Sequence, residues 1–287
     1  ILGVGCTLLP NRKAKQLVAL LDKINDAMIM MIHMSMAVAP YGVFALVAKV
    51  VGTSGWSVLA ALTIYSIVVI GGLFLHATVV YTGAVRWVAK LPAVGFWKVI
   101  RPAQLIAFST SSSAVALPLA METAKENLGV SNHVSSFVLP LGATINMDGT
   151  ALYQGVAALF IAQVFGIDLG LGDQLNIILT ATLASIGTAA VPGVGMITLA
   201  MVLTSVGVPT IGVALILGVD RILDMFRSSV NTTGNLAAAA VIAASEGETP
   251  RILLPEADAS RADAGIDGRL DVPQHAYVAD DEQESER

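Results

Sequence analysis

Six long apolar runs constrain this chain more than any other feature of its sequence. A helix that crosses a bilayer needs about 20 mainly apolar residues, and each run reaches that length. Asp148 interrupts the fourth run and four charged residues lie in the sixth, whereas the other runs carry no Asp, Glu, Lys or Arg. The runs cover residues 27–48, 56–81, 102–121, 133–167, 174–203 and 208–240. They predict an all-α integral membrane protein.

The chain lacks the signatures of most soluble protein classes. Charged residues make up 13% of it, about half the share found in an average soluble domain. Cys6 is the single cysteine, so an internal disulfide framework is excluded. The four histidines are scattered, and no glycine-rich phosphate-binding loop is present. We therefore expect no enzyme activity, no catalytic residues, no cofactor, no metal beyond a transported Na⁺ and no nucleic-acid partner.

The beginning of the chain is apolar and has no initiating methionine. Residues 1–10 read ILGVGCTLLP, without the basic start and small-residue cleavage site of a signal peptide. Such a segment is typical of the last part of a membrane span. We therefore expect the chain to be truncated at its N-terminus.

Positively charged loops orient the predicted spans. Loops rich in Lys and Arg usually face the cytoplasm. Two spans, 24–48 and 56–81, separate two basic loops, so both loops can lie on that side. The loops contain Arg12, Lys13 and Lys15, and Arg86, Lys90, Lys98 and Arg101. Residues 246–287 hold 12 acidic and 4 basic residues, which predicts a disordered cytoplasmic tail.

Two apolar segments contain helix-breaking centres. Residues 109–113 read STSSS within the run 102–121, and hydroxyl side chains compete with a helix for its backbone hydrogen bonds. Residues 185–195 read SIGTAAVPGVG within 174–207, where Gly and Pro interrupt good helical flanks. Two interrupted apolar segments favour a transporter binding site, with each segment entering the membrane and turning back. Two ordinary kinked spans are the alternative.

A third break lies between these two segments. Residues 146–150 read NMDGT, with more than ten mainly apolar residues on each side. An acid inside a membrane segment is costly and usually functional. The carboxylate of Asp148 beside free backbone carbonyls suits a hard cation such as sodium.

Polar residues form one stripe on the last apolar segment. Placed on a helix, residues 220, 224, 227, 231 and 235 share one face. A structural ion pair is one interpretation. The preferred interpretation is a ligand-binding site in which Arg227 holds a carboxylate through two parallel hydrogen bonds. Asp224 then holds an ammonium group and Asn231 a second carboxylate, which together describe an acidic amino acid.

These motifs resemble the dicarboxylate/amino acid:cation symporter family, the glutamate transporters. The resemblance covers residues 1–245 and rests on STSSS, NMDGT, SIGTAAVPGVG and DRILDMFRSSVNTTGN at 220–235. It implies the glutamate-transporter fold, with eight transmembrane helices, broken helices and two re-entrant helical hairpins. It also implies a homotrimer in which a transport domain slides against a scaffold, as an elevator. The chain would begin within the fourth helix, with the first three helices missing.

The resemblance implies a division into three parts. Residues 1–52 correspond to scaffold helices, the end of the fourth helix and the fifth. Residues 53–245 correspond to the transport domain and 246–287 to the tail. Within the transport domain, the sixth helix comes first. It is followed by hairpin 1 at about 95–127, the seventh helix at about 132–167, hairpin 2 at about 172–207 and the eighth helix at about 210–243.

Site residues follow from the same resemblance. The implied substrate-binding residues are Ser112, Ser113, Thr150, Val191, Gly195, Asp224, Arg227, Ser228 and Asn231. One implied sodium site contains Thr144, Met147, Ser185, Ile186 and Thr188. A second contains Gly142, Asn146, Asn231 and Asn235. Asp148 belongs to a third site, whose other ligands would lie in the missing third helix.

Three departures from the family pattern refine the function. Sodium-coupled members usually have Asp at the position of Asn235, so we expect proton coupling, with sodium coupling as the alternative. Some members carry arginine at the position of Ser111, and here Arg221, beside Asp220, can supply that charge. Relatives that carry C4-dicarboxylates lack an acid at the position of Asp224, which favours glutamate or aspartate.

The sequence thus predicts a secondary symporter for glutamate or aspartate in the plasma membrane, in bacteria the inner membrane. A sodium-coupled symporter, a C4-dicarboxylate symporter and a truncated inactive fragment are the alternatives. A channel is a rival class, but a pore does not need an amino-acid site such as Asp224 with Arg227. A membrane enzyme is another rival class. Ser/Asp/His chemistry would need a histidine near Asp148 or the serine run, and His133 is about one hairpin arm away from either.

Overall fold

The computed structural model describes residues 10–54 and 57–253. Over these ranges the secondary structure consists of helices joined by turns and loops, without a strand. This confirms the all-α prediction. Cys6 and residues 254–287 of the predicted tail lie outside the described residues.

The first helix, α1, covers Asn11–Ser54, or 44 residues. At 1.5 Å per residue it is about 66 Å long, roughly twice the thickness of a bilayer core. The predicted basic loop before residue 24 is therefore wrong, because Arg12, Lys13 and Lys15 lie in the first turns of α1. Pro10 precedes the helix, and no Gly or Pro occurs between residues 11 and 39. Lys, Arg and Gln are good helix formers, so the basic residues can be part of the helix.

The second long helix is continuous but irregular. It runs through α2 (Ser57–His76), one π-helical turn (Ala77–Tyr81) and α3 (Thr82–Trp87). Within it, Leu59–Trp87 is the single helix of the described residues that is long and apolar enough to cross a membrane. The apolar runs 102–121, 133–167 and 174–203 are divided into shorter helices at the breaks described below.

The serine run forms a turn between two packed helices. After α4 (Ala93–Val99) come α5 (Arg101–Thr110) and α6 (Ser113–Glu122), which ends in a π-helical turn, Thr123–Asn127. Ser111 has a φ of 52°, in the left-handed region that ends α5. Ser112 starts α6, and its hydroxyl accepts a hydrogen bond from the Val115 N–H. We call residues 93–127 the first hairpin.

Two further helical pairs follow. Helices α7 (Asn132–Ile145) and α8 (Asp148–Val164) are separated at Asn146 and Met147. Helices α9 (Leu171–Ser185) and α10 (Val194–Ser205) are separated by loop 186–193. Gly187 and Gly193, at the two ends of this loop, have φ values of 86° and 78°, which a side chain would disfavour. We call residues 171–205 the second hairpin.

The last helix, α11, covers Val213–Ser245 and lies at the centre of the fold. It packs against α2 and against the helices of the first hairpin, α7 and α8. An apolar core of α2, α8, α9, α10 and α11 surrounds its first half, with Leu73, Tyr153, Leu199, Ile216 and Leu223 buried. Most of α11 from Leu223 onward is inaccessible to solvent. Its polar residues are therefore held in fixed positions.

The first eight residues of the predicted tail have a defined position, which corrects the boundary of that segment. Gly247, with a φ of 86°, ends α11, and the Glu248 N–H donates to the Ala243 carbonyl. Residues 246–253, which we call the C-terminal strap, then lie against the base of the first hairpin. The Arg251 N–H donates to the Leu128 carbonyl at 3.0 Å. These backbone hydrogen bonds outweigh the disorder that the acidic composition predicts.

A carboxylate fastens the C-terminal strap to the start of α7. Glu248 accepts hydrogen bonds from the Ser131 hydroxyl and from the Ser131 N–H, the latter at 3.0 Å. These hydrogen bonds hold the pKa of Glu248 below its ordinary value. Because the carboxylate is the bonded form, its contribution is complete at neutral pH and is lost when acid protonates Glu248.

Candidate functional site

Three breaks in helices meet beside the middle of α11. The turn of the first hairpin, the α7–α8 break and loop 186–193 surround a cavity of about 20 Å³, room for about one water molecule. Its lining residues are Ser111, Ser113, Met147, Thr150, Thr188, Ala189, Ala190, Val191, Gly195, Arg227, Ser228 and Asn231. Segments far apart in the sequence therefore form one compact polar site.

The guanidinium of Arg227 is the main positive charge of this site. Its Nη2 donates to Asp224 Oδ1 at 2.6 Å, and Nη1 lies 4.0 Å from Asp220 Oδ1. Arg227 is only 3% exposed, and its Nη1 has no hydrogen-bond partner among the described residues. An unsatisfied donor of a buried charge is costly, so this nitrogen is available to an incoming acceptor.

The aromatic ring of Tyr153 packs against the guanidinium of Arg227, a contact that the sequence motifs did not predict. The guanidinium carbon lies 4.4 Å from the centre of the Tyr153 ring, a favourable cation–π distance. The Tyr153 hydroxyl donates to Asp220 Oδ1. Its spacing of three from Thr150 places both residues on one face of α8, which is the signal that could have indicated it.

Glycine at residue 195 leaves the space that Arg227 occupies. A Cβ at this position would lie 2.5 Å from Nη1 and 2.7 Å from the guanidinium carbon of Arg227. The Gly195 carbonyl also accepts a hydrogen bond from Gln154 Nε2 at 3.1 Å. The close approach of α10 to the guanidinium therefore requires a residue without a side chain.

Loop 186–193 is closed over the site by two hydrogen bonds. The Gly193 N–H donates to Asp224 Oδ2 at 2.9 Å. The Ser112 hydroxyl donates to the Ala190 carbonyl at 2.7 Å, so the turn of the first hairpin contacts the loop of the second. Both oxygens of Asp224 therefore have a donor, one from Arg227 and one from the loop.

Asn231 joins the α7–α8 break to α11. Its Oδ1 accepts from the Gly149 N–H at 3.0 Å, and its Nδ2 donates to Thr150 Oγ1 at 3.0 Å. Ser113, from the first hairpin, donates to the Ser228 carbonyl at 3.4 Å. The predicted substrate residues Ser113, Thr150, Ser228 and Asn231 thus form two buried hydrogen-bonded pairs that line the same cavity.

Two of the candidate cation sites are held by internal hydrogen bonds. Asn146 Nδ2 donates to Asn235 Oδ1 at 3.1 Å, and a Cβ at Gly142 would lie 2.8 Å from the same oxygen. Asp148 Oδ2 lies 2.8 Å from His76 Nε2 and accepts from the Tyr81 hydroxyl at 2.6 Å. His76 and Tyr81 lie about 70 residues from Asp148 in the chain, so no local sequence pattern connects them with it.

The third candidate cation site lies between the α7–α8 break and loop 186–193. The Gly187 N–H donates to the Thr144 carbonyl at 2.8 Å, which joins the two segments. The hydroxyls of Ser185 and Thr188 donate to backbone carbonyls of α9, and both residues are buried. Met147 is also buried, whereas Ile186 is exposed.

Arg221 does not line the cavity, unlike Val191, which the resemblance also implied. It follows Asp220 on α11, and its Nη1 is buried without a hydrogen-bond partner among the described residues. The structure therefore gives Arg227 the central position and leaves Arg221 beside the site.

Comparison with known proteins identifies the class and then the family. Residues 1–245 match the sodium:dicarboxylate symporter family. The chain is 41% identical to the proton/sodium-glutamate symport protein of Bacillus subtilis (strain 168) over 235 residues. The aligned region covers 82% of this chain and 54% of the relative. The chain is 39% identical to the proton/glutamate-aspartate symporter of Escherichia coli (strain K12) over 246 residues, 85% of this chain and 55% of that relative.

A mammalian protein is similar to a comparable degree. The excitatory amino acid transporter 1 of Mus musculus is 41% identical over 223 residues, 77% of this chain and 41% of the relative. The chain spans about half the length of these relatives. The class defined by these proteins is a membrane transporter and not an enzyme. The chain belongs to the sodium:dicarboxylate symporter family, which confirms the resemblance inferred from its motifs.

Proposed function

We propose that the protein takes up glutamate or aspartate by secondary symport. The observation that carries this proposal is the buried pair of Arg227 and Asp224, which bind each other at 2.6 Å. In the loaded site, Arg227 binds the side-chain carboxylate of the substrate and Asp224 binds its ammonium group. Asn231 and Ser228 are positioned for the second carboxylate.

Charge complementarity favours an amino acid over a C4-dicarboxylate. A dicarboxylate without an ammonium group would place an anion beside Asp224, with Asp220 also close to Arg227. Unpaired like charges at such a buried site are strongly unfavourable. An acidic amino acid supplies one positive group for Asp224 and carboxylates for Arg227 and Asn231.

Substrate entry requires the site to open. The cavity of about 20 Å³ is far too small for an amino acid, whose pocket is typically hundreds of Å³. Opening breaks the Ser112–Ala190 and Gly193–Asp224 hydrogen bonds. In our proposal the two hairpins are re-entrant, and alternating access follows the elevator movement of a homotrimer in the plasma membrane, with residues 254–287 in the cytoplasm.

Proton coupling is the proposal for the driving ion. Asn235 is a neutral amide whose Oδ1 already accepts from Asn146, so this site lacks the negative charge that attracts a hard cation. Sodium coupling is the alternative, and Asp148 favours it. Its carboxylate is half-buried and supplies the negative charge that an oxygen site for a hard cation needs.

Uptake of radiolabelled glutamate into proteoliposomes tests the function directly. The chain should be compared with a version extended upstream, under an inward sodium gradient and under an inward proton gradient. We expect uptake with the proton gradient alone. Uptake that needs sodium would replace proton coupling by the alternative, and absence of glutamate and aspartate uptake in both versions would overturn the proposal.

Replacing Tyr153 with phenylalanine tests how Arg227 is positioned. The variant keeps the aromatic ring under the guanidinium but removes the hydroxyl that donates to Asp220. A hydrogen bond to a charged group contributes about 1.5–3 kcal/mol, so we expect KM for glutamate to rise roughly ten- to hundredfold. The measurement is the concentration dependence of uptake.

Tyr41→Phe is the matched control, because Tyr41 is exposed on α1. It removes one phenolic hydroxyl far from the site and should leave KM unchanged. If Tyr153→Phe also has the original KM, Asp220 does not depend on this hydroxyl and the positioning role is refuted.

A further inference from the structure

The first hairpin and α11 are joined at two levels near the site. At its turn, Ser113 donates to the Ser228 carbonyl at 3.4 Å. Near the middle, Gln104 Nε2 donates to Thr233 Oγ1 at 2.8 Å. Both hydrogen bonds lie away from the ends of the hairpin at residues 93 and 127, although α5 also packs along α11.

The C-terminal strap supplies a third joint at the base of the hairpin. The Leu253 N–H donates to the Asn127 carbonyl at 2.8 Å, and Asn127 Nδ2 donates back to the Leu253 carbonyl at 3.2 Å. Together with the Arg251–Leu128 hydrogen bond, these contacts form a short backbone pairing. The pairing connects the end of α11 to the end of the first hairpin.

Side chains of the strap fit against glycines of the hairpin region. A Cβ at Gly95 would lie 3.0 Å from the Ile252 side chain, and one at Gly129 would lie 3.3 Å from the Arg251 side chain. Gly129 has a φ of 61°, so it also turns the chain between the hairpin and α7. At both positions the absence of a side chain on the glycine leaves room for the strap.

Glu248 is the strongest polar contact of the strap. Its carboxylate binds the hydroxyl and the N–H of Ser131, the residue that caps α7 through the Val134 N–H. Hydrogen bonds to a charged group are roughly twice as strong as neutral ones. This contact adds the start of α7 to the assembly of α11 and the first hairpin.

The second hairpin is attached to α11 much more weakly. Among the described residues, the hydrogen bond from Gly193 to Asp224 is the one that connects these two elements. Loop 186–193 is therefore hydrogen-bonded to α11 inside the site, whereas the first hairpin is also connected to the end of α11 at its base, through the strap. We therefore expect the second hairpin to separate from α11 more easily than the first.

We infer that the C-terminal strap is a clamp that holds the first hairpin, α11 and the start of α7 together as one rigid unit. The clamp fixes Ser112 and Ser113 relative to Asp224 and Arg227, although no strap residue contacts the site. Residues 246–253 thus act as a conformational element and are functionally distinct from the segment 254–287.

Hydrogen exchange on the full chain tests the clamp without any substrate. Glu248→Ala removes both contacts to Ser131, and we expect amides of residues 123–131 and 249–253 to exchange about tenfold faster or more. The second hairpin, residues 171–205, should be unaffected. Glu246→Ala is the matched control, because Glu246 is exposed at the end of α11, and it should leave exchange unchanged.

Two shortened chains separate the strap from the rest of the tail. A chain that ends at Leu253 should keep the protection of the first hairpin, and one that ends at Ser245 should lose it. A disulfide between Asn127→Cys and Leu253→Cys, in a Cys6→Ser background, should restore protection in the Glu248→Ala chain. The inference is overturned if protection is the same with and without residues 246–253, or if exchange rises equally in both hairpins.

A binding measurement links the clamp to the proposed function, on which this part rests. With the strap removed, the Kd for glutamate should rise severalfold, and the disulfide should reverse that rise. An unchanged Kd together with faster exchange would overturn the link to the site. Absence of glutamate binding in the unaltered chain would instead overturn the proposed function and leave the exchange result intact.

Discussion

Replacing Arg227 with alanine is expected to abolish uptake of glutamate and aspartate while uptake of neutral amino acids is retained. The guanidinium is the buried positive charge that faces both Asp220 and Asp224. Truncating one partner of a buried, hydrogen-bonded charge pair costs about 2–5 kcal/mol, or roughly 30- to 4,000-fold in affinity. Asp224 remains available for an ammonium group, so a substrate without a side-chain carboxylate is still recognised.

Folding must be measured separately in this variant. Removing Arg227 leaves two buried carboxylates without their cation, which destabilises proteins by about 3–5 kcal/mol. Arg227→Lys keeps the charge but not the planar fork of two donors, and it should fold better while still losing acidic substrates. Arg86→Ala, on the exposed end of α3, is the control for loss of a single arginine.

The decisive measurement is competition for binding between acidic and neutral amino acids in purified, folded protein. A preference that moves from glutamate to neutral substrates supports the role of Arg227. Unchanged glutamate uptake in the folded alanine variant would falsify the assignment of this residue to the side-chain carboxylate.

Replacing Asn235 with aspartate is expected to increase the sodium dependence of uptake by about tenfold or more. Asn235 is 4% exposed and pairs with Asn146. A carboxylate adds one full negative charge beside the carbonyl oxygens of the α7–α8 break. Ligand charge is a main determinant of affinity at oxygen sites for hard cations. The low dielectric of a buried site strengthens the attraction between the added carboxylate and the cation.

Initial uptake rates as a function of sodium concentration, at fixed pH, measure this effect. Asn176→Asp makes the same chemical change on the exposed surface of α9 and should leave the cation preference unchanged. If Asn235→Asp shows the cation preference of the unaltered chain, the argument that this amide marks proton coupling is wrong.

Most helix breaks and both ends of α11 could be located from the sequence to within a few residues, but the start of α1 could not. Ser109–Ser113, NMDGT and SIGTAAVPGVG contain hydroxyl residues, glycines or a proline whose effect on a helix is local. The predictions of a loop at residues 12–15 and of disorder at residues 246–253 are wrong, because charge alone indicates neither a loop nor disorder. In the structure, good helix propensity and backbone pairing with residues 127 and 128 prevail.

The candidate site was predictable where its residues share one helix. Asp220, Asp224, Arg227, Asn231 and Asn235 follow helical spacing, and all five are buried. Tyr153 under Arg227, and His76 with Tyr81 on Asp148, were not anticipated, since each contact joins residues about 70 positions apart. Such pairings depend on how separate helices pack.

The sequence by itself determined the class of this protein, most of its helical segments and the polar stripe on α11. Apolar length, helical periodicity and glycine or proline breaks are local properties, and they act before any tertiary contact forms. The tertiary structure alone decided which polar groups from separate segments form hydrogen bonds: Tyr153 with Asp220, Asn235 with Asn146, and Glu248 with Ser131. Burial makes the difference, because a polar group removed from water must find its partner wherever the packed chain places one.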